Sequence, residues 1–277
     1  MAKTLRVSAI QLNSGDDVVA NLARCEEWVK RAHDDGATFV VLPENFAFFG
    51  PESVKRVNAE SLDGPTGPIV DALMRMASES HVFLLGGGWP EKSSSKERPY
   101  NAASLFDPSG KLVAHYRKLH LFDVELPNGS ALTESASTMP GSEVVVGEVL
   151  GTRVGLSICY DLRFGELYRA LVERGAKIMC VPAAFTLETG KDHWHLLNRA
   201  RAVETQCWVI AANQWGSHGR GRNTYGHSLI VDPWGTVVAE ASDREGVVTY
   251  DIDFDWQAQI RNRLPCLKHR RLDKTSI

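Results

Sequence analysis

The segment Gly36-Ala37-Thr38-Phe39-Val40-Val41-Leu42-Pro43-Glu44-Asn45-Phe46 returns as Gly175-Ala176-Lys177-Ile178-Met179-Cys180-Val181-Pro182-Ala183-Ala184-Phe185. A chain that repeats itself in this way builds the same unit twice. Each copy follows a helix-like stretch and carries a nearly continuous apolar run, the mark of a strand covered on both faces. Upstream of the copies, Arg6-Val7 and Arg153-Val154 open matching strands. Downstream, Asp107-Pro108-Ser109-Gly110 and Asp232-Pro233-Trp234-Gly235 lie between apolar segments. Asp-Pro-x-Gly supplies a turn-capping carboxylate, a fixed φ and a residue free to take positive φ, so both read as hairpins. Apolar periodicity predicts helices over 21–31 and 69–80 in the first half, and over 164–173 and 193–204 in the second. Each half is then strand, helix, strand, helix, strand, hairpin. Two such halves make an α/β fold, a four-layer α-β-β-α sandwich with an internal pseudo-twofold repeat. Taken singly, the same signals also suit a doubly wound sheet.

The repeat also separates chemistry from architecture. Glu44 is matched by Ala183, and Cys159 falls opposite Leu12. A structural role should survive in both copies, whereas these residues occur once each, at strand ends of opposite halves. Cys159 ends the apolar run Val154-Gly155-Leu156-Ser157-Ile158 and precedes a helix-like stretch, which is where a nucleophile belongs. Free cysteine titrates near about 8.5, and a helix N-terminus or a cation lowers that value, so such a cysteine can be ionised, and a base and a cation are sought beside it. The other cysteines read as packing residues: Cys25 on a helix, Cys180 and Cys207 at buried strand positions, Cys266 near the C-terminus. No C-x-x-C pair suggests a zinc ribbon or a redox motif.

Composition narrows the partners. A net charge of −3 argues against a polyanion as main partner. Arg261, Arg263, Lys268, Arg270 and Arg271 read as a solvated tail or a subunit contact. No apolar stretch approaches the roughly 18 residues of a membrane span. The chain enters a strand at once, unlike a signal peptide, and five cysteines, an odd number, fit a reducing cytoplasm. No cofactor or metal is expected. His193 and His195 diverge on a helix, and Gly86-Gly87-Gly88 lacks a following Walker lysine, so it reads as a close strand approach or a turn. His120 and His227 offer a Cys-His alternative, or simply satisfy buried backbone groups.

Leu42-Pro43-Glu44, Arg117-Lys118-Leu119-His120 and Ile158-Cys159-Tyr160-Asp161-Leu162-Arg163-Phe164 together resemble the Glu-Lys-Cys triad motifs of the nitrilase superfamily of carbon-nitrogen hydrolases. The resemblance covers nearly the whole chain and implies the same sandwich. It implies Glu44 as general base, Cys159 as nucleophile, and Lys118 as the cation that stabilises the oxyanion together with the Tyr160 N–H. Glu134 matches a second glutamate beside the triad that orients Lys118 or the substrate amide. A hydrolase domain over 1–255 is expected, with a helix and tail over 256–277 packing on it or on a partner subunit. Family members assemble as dimers or larger oligomers, so a homo-oligomer is expected.

Within the superfamily, the segments around Lys118, Glu134, Arg199 and Tyr225 resemble the branch that contains deaminated glutathione amidase and omega-amidase. The resemblance implies hydrolysis of a small keto-acid amide through a thioester, with deaminated glutathione giving 2-oxoglutarate and cysteinylglycine. The second reading is 2-oxoglutaramate or succinamate. A substrate carboxylate calls for a bidentate reader, for which Arg163 is the candidate, against an ion pair with Asp161 or Glu166. Phe185 and Thr189 match pocket positions. Asn128 stands where related sequences often have glycine. A non-enzymatic scaffold would carry a damaged triad, and all three residues are present.

Overall fold

The computed structural model describes residues 4–125 and 131–272. Asn128 lies outside them. The first half runs β1 (Thr4–Gln11), α1 (Val18–Asp34), β2 (Phe39–Val41), α2 (Pro68–Glu79), β3 (Phe83–Glu91), β4 (Tyr100–Phe106) and β5 (Leu112–Arg117). The second runs β6 (Val146–Val149), β7 (Thr152–Leu156), α3 (Gly165–Glu173), β8 (Ile178–Cys180), α4 (Leu187–Thr205), β9 (Trp208–Ala211), β10 (Leu229–Val231) and β11 (Val237–Glu240). The chain then returns through β12 (Gly246–Asp253) and ends in α5 (Phe254–Arg263) and a short turn.

Two six-stranded sheets result, ordered β12-β1-β2-β3-β4-β5 and β6-β7-β8-β9-β10-β11. In each, three parallel strands sit between an antiparallel hairpin on one side and one antiparallel strand on the other. The repeat therefore reaches beyond its local matches: β12, from the far end of the chain, occupies beside β1 the place that β6 occupies beside β7. The doubly wound alternative is excluded, because each half forms its own sheet.

Strand alternation builds the layers. Val7, Ala9, Phe39 and Val41 join a core shared with Val154, Leu156, Ile178 and Ile210 of the second sheet. Their neighbours Ile10, Val40 and Leu42 pack with Leu22, Cys25 and Val29 of α1 and with Leu73 and Met76 of α2. Leu167, Leu171, Trp194 and Ala202 of α3 and α4 cover the second sheet. The hairpin turns are alike. Asp107 Oδ1 accepts from the N–H groups of Ser109 and Lys111, and Asp232 Oδ1 from those of Trp234 and Thr236. The closing glycines have φ of 78° and 90°.

Two helices, α1 and α4, exceed the apolar periodicity. Asp17 caps α1 by accepting from Ala20 N–H, and α4 starts at Leu187 because its first turn is polar and invisible to a hydrophobic count. Cys207 is buried but precedes β9, so it is not a strand residue. The basic residues near the C-terminus contact their own domain: Arg261 Nε donates to Gln206 O at 3.0 Å, and Arg270 pairs with Glu173 at 2.7 Å. Among the described residues no helix is long and apolar enough to cross a membrane.

Candidate active site

Glu44 emerges where β2 ends. Leu42 N–H still bonds Leu85 O, and Asn45 N–H bonds Gly88 O at 2.8 Å, so the segment is clamped along β3. Two of the three glycines of β3 make room for it, while Gly86 faces Leu73 of α2. A Cβ on Gly87 would fall on Pro182 and lie 2.7 Å from Leu42 O, and one on Gly88 would lie 2.7 Å from the Glu44 Cα. Gly88 also has φ of +66°. The expectation of a close backbone approach holds, and what approaches is the candidate base. Gln214 fixes it from the second half by donating to Glu44 O at 3.0 Å.

Lys118 follows β5 and is tied to β4 by its N–H bond to Asn101 O. Its side chain is 2% exposed, and its Nζ lies 2.9 Å from Glu44 Oε1 and 2.8 Å from Glu134 Oε2. Asn101 Nδ2 donates to the same two carboxylates, at 2.8 Å to Glu44 Oε1 and 3.1 Å to Glu134 Oε1. The Phe122 N–H completes the Glu134 cage at 2.8 Å.

Cys159 opens a one-turn helix, Cys159–Arg163, directly after β7. Its φ of 49° is a conformation that non-glycine residues adopt only where the surroundings hold it. Its N–H donates to Pro182 O at 2.8 Å. Asp161 locks the turn: its carboxylate accepts from Tyr116 OH at 2.6 Å, Ile158 N–H at 2.9 Å and His120 N–H at 3.0 Å, with His120 Nδ1 at 2.7 Å. The Glu44 carboxylate acts on the thiol and opposes its ionisation, whereas the Ala184 N–H favours the ionised sulfur. Ala184 N–H also donates to Glu44 Oε2 at 2.9 Å.

The unique residues of the two halves therefore meet. Glu44 touches Ala184, beside the residue that replaces it in the repeat, and Cys159 touches Pro182. Neither His120 nor His227 bonds the sulfur: His120 is held by Asp161, and His227 faces Glu240 and Asp243.

Charges decide the protonation pattern. Burial opposes the Lys118 ammonium, but Glu134, Glu44 and Cys159 outweigh it and hold its pKa well above the usual lysine value. Burial likewise opposes the Glu134 carboxylate, yet Lys118 and Lys55 hold its pKa down at about 2. Cys159 is held as a thiol. Burial pushes the thiol well above the ordinary range, Glu44 pushes it further, and Lys118 does not compensate. The resting sulfur is a neutral thiol, because the turn behind it is too short to act as a helix N-terminus while the carboxylate in contact disfavours a thiolate.

Arg163 makes neither of the ion pairs weighed for it. Its Nη1 lies 3.2 Å from His193 Nδ1, and its guanidinium sits 5.2 Å from the Phe185 ring and 5.8 Å from the Tyr160 ring. Phe185 is held through its N–H by Asn213 Oδ1 at 2.9 Å, and Thr189 shares a hydroxyl contact with Thr186 at 2.8 Å. His195 turns from His193 to Glu240. Three residues of the site escaped the sequence analysis as functional: Asn101, Asp161 and Gln214. Asn101 alone left a signal, as a polar side chain at the start of the buried run Ala102 to Phe106.

A family profile described as carbon-nitrogen hydrolase matches residues 6–262. A deaminated glutathione amidase of Synechocystis sp. is 42% identical over 97% of this chain and 98% of its own. The mouse omega-amidase NIT2 is 37% identical over 99% and 98%. Among solved structures, that of Saccharomyces cerevisiae Nit3, a member of branch 10 of the nitrilase superfamily, superposes with a TM-score of 0.89 at 32% identity, over 98% of both chains.

Proposed function

The chain belongs to the carbon-nitrogen hydrolase family, and on that footing we propose that it cleaves deaminated glutathione to 2-oxoglutarate and cysteinylglycine through a Cys159 thioester. One observation carries the chemistry: a buried ammonium, Lys118, bonded to two carboxylates, one of which, Glu44, also opposes ionisation of the Cys159 thiol. Because the thiol is neutral at rest, a base has to act, and Glu44 is the carboxylate that acts on it. Glu44 takes the proton as sulfur attacks the amide carbon. Lys118 and the Tyr160 N–H stabilise the oxyanion. The C–N bond breaks, and the leaving amine receives the proton from Glu44. A thioester remains. Glu44 next deprotonates water, the second tetrahedral intermediate expels the Cys159 thiolate, and the proton held by Glu44 returns to sulfur. Glu134 and Asn101 keep Lys118 and Glu44 aligned throughout.

The substrate follows from the relatives. Deaminated glutathione amidases of Synechocystis sp. and Homo sapiens share 42% and 41% identity with the chain, and their name supports that amide first. Arg163, near the rings of Phe185 and Tyr160, is assigned to read the carboxylate of the keto-acid end, which Phe185 and Thr189 help to hold. The omega-amidase reading, with 2-oxoglutaramate or succinamate as substrate, rests on the mouse relative. The same reading takes residues 1–255 as the hydrolase domain and 256–277 as a segment packed on it or on a partner subunit, in a cytoplasmic homo-oligomer. The test is kcat/KM for deaminated glutathione beside 2-oxoglutaramate. A higher value for the former is expected, and a strong preference for the smaller amide overturns the substrate while leaving the chemistry in place.

A further inference from the structure

His195 on α4, His227 in the loop before β10 and Glu240 at the end of β11 bring three metal-ligating atoms within 4.8 Å of one another, apart from the Cys159 site. Glu240 Oε1 lies 2.9 Å from His195 Nε2 and 2.6 Å from His227 Nδ1. The far nitrogen of His227, Nε2, is 3.3 Å from Asp243 Oδ1. A carboxylate behind an imidazole is the arrangement that fixes a metal-binding ring and raises its basicity. His227 is held firmly in that pose. Its φ is 55°, and its ring stacks on Tyr225 with centroids 4.5 Å apart. The edge of His195 meets the same tyrosine at 5.9 Å. A groove of about 380 Å³ lined by Tyr225, His227, Asp243 and Lys191 opens beside the cluster, with room for water.

We propose that His195, His227 and Glu240 bind a divalent transition-metal ion such as Zn²⁺, with Asp243 orienting His227 and water completing the coordination. Two imidazoles and one carboxylate suit zinc, nickel or cobalt, whereas magnesium prefers oxygen ligands. Ligand atoms of a tetrahedral zinc stand about 3.3 Å apart at ordinary bond lengths. The present contacts therefore open by roughly half an ångström to admit the ion. Protons balance as follows. His227 keeps a proton on Nε2 toward Asp243 and offers the Nδ1 lone pair, and any proton on Nδ1 leaves to solvent. His195 offers Nε2 and carries its proton on Nδ1. The bound ion ties α4, which bears Thr189 and His193, to the β10–β11 hairpin. The helical pair His193 and His195 is not the site; the second imidazole comes from the hairpin loop instead.

The test titrates Zn²⁺ and Mg²⁺ into the full chain carrying Cys159→Ala, which removes the candidate nucleophile as a thiolate ligand. One Zn²⁺ per chain with a micromolar or tighter Kd is expected, with no Mg²⁺ uptake and a rise in Tm on adding zinc. Glu240→Gln and His195→Gln, tested separately, should each weaken binding by at least ~30-fold, and the exposed change Asp243→Asn by about 10- to 100-fold. Co²⁺ should give the visible bands of a low-coordinate site without thiolate charge transfer. Absence of stoichiometric zinc binding, zinc affinity in Glu240→Gln and His195→Gln equal to that of the parent chain, or a thiolate spectrum pointing to Cys266 would each overturn the proposal.

Discussion

The Asn101 side chain donates to Glu44 at 2.8 Å and, from the same nitrogen, to Glu134 at 3.1 Å, so one amide fixes the spacing of the two carboxylates around Lys118. Asn101→Ala removes that tie without removing a charge. Hydrogen bonds to charged groups contribute about 1.5–3 kcal/mol. Turnover is expected to fall about tenfold or more with KM little changed. Steady-state kinetics check this, and an effect on KM alone contradicts it.

Asp161 holds the cysteine turn through its bonds to Tyr116, Ile158 and His120. Asp161→Asn puts an NH₂ group against donors it cannot accept from and leaves buried N–H groups unpaired. A loss of about 2–4 kcal/mol in stability is expected, read from denaturant midpoints, together with a fall in kcat. Unchanged stability contradicts the assignment.

Gly88→Ala tests the close approach behind the base. The new Cβ meets the Glu44 backbone at 2.7 Å, at a φ that disfavours side chains. Overpacking of this kind costs about 1–3 kcal/mol. Activity should drop by more than the stability loss explains, because the displaced group is Glu44. A variant as active as the parent removes the glycine from the account.

Stability should depend on acid through Glu134. Its folded pKa of about 2 lies below the unfolded value of about 4.3, so the unfolded chain binds more protons between them. Its contribution is fully present above about pH 4.3 and is lost as pH falls toward about 2. Glu134→Gln should flatten the rise of stability with pH in that window. Parallel curves for parent and variant contradict the Lys118–Glu134 pairing.

The sandwich was legible because the repeat put the same strand and hairpin signals into both halves, and apolar runs such as Phe39–Val41 keep their meaning without tertiary context. β12 was not, because its partner β1 lies at the other end of the chain. Glu44 and Cys159 stood out as residues that the repeat does not duplicate, and Lys118 through its motif. Asn101 and Gln214 did not, since a single buried amide acquires meaning only from the carboxylate or carbonyl it faces. The turn after Cys159 marked a sulfur that can be ionised, but the burial and the Glu44 carboxylate that raise its pKa belong to the folded surroundings and are not visible in the local sequence.

The central claim is that Cys159 carries the acyl group. Acid-quenched wild-type protein taken during steady-state turnover of deaminated glutathione, then peptide-mapped by mass spectrometry, tests it most directly. The account predicts one 2-oxoglutaryl thioester on the peptide bearing Cys159, and neither adduct nor turnover in Cys159→Ala. Near-normal turnover in Cys159→Ala, or the adduct on another cysteine, would contradict it.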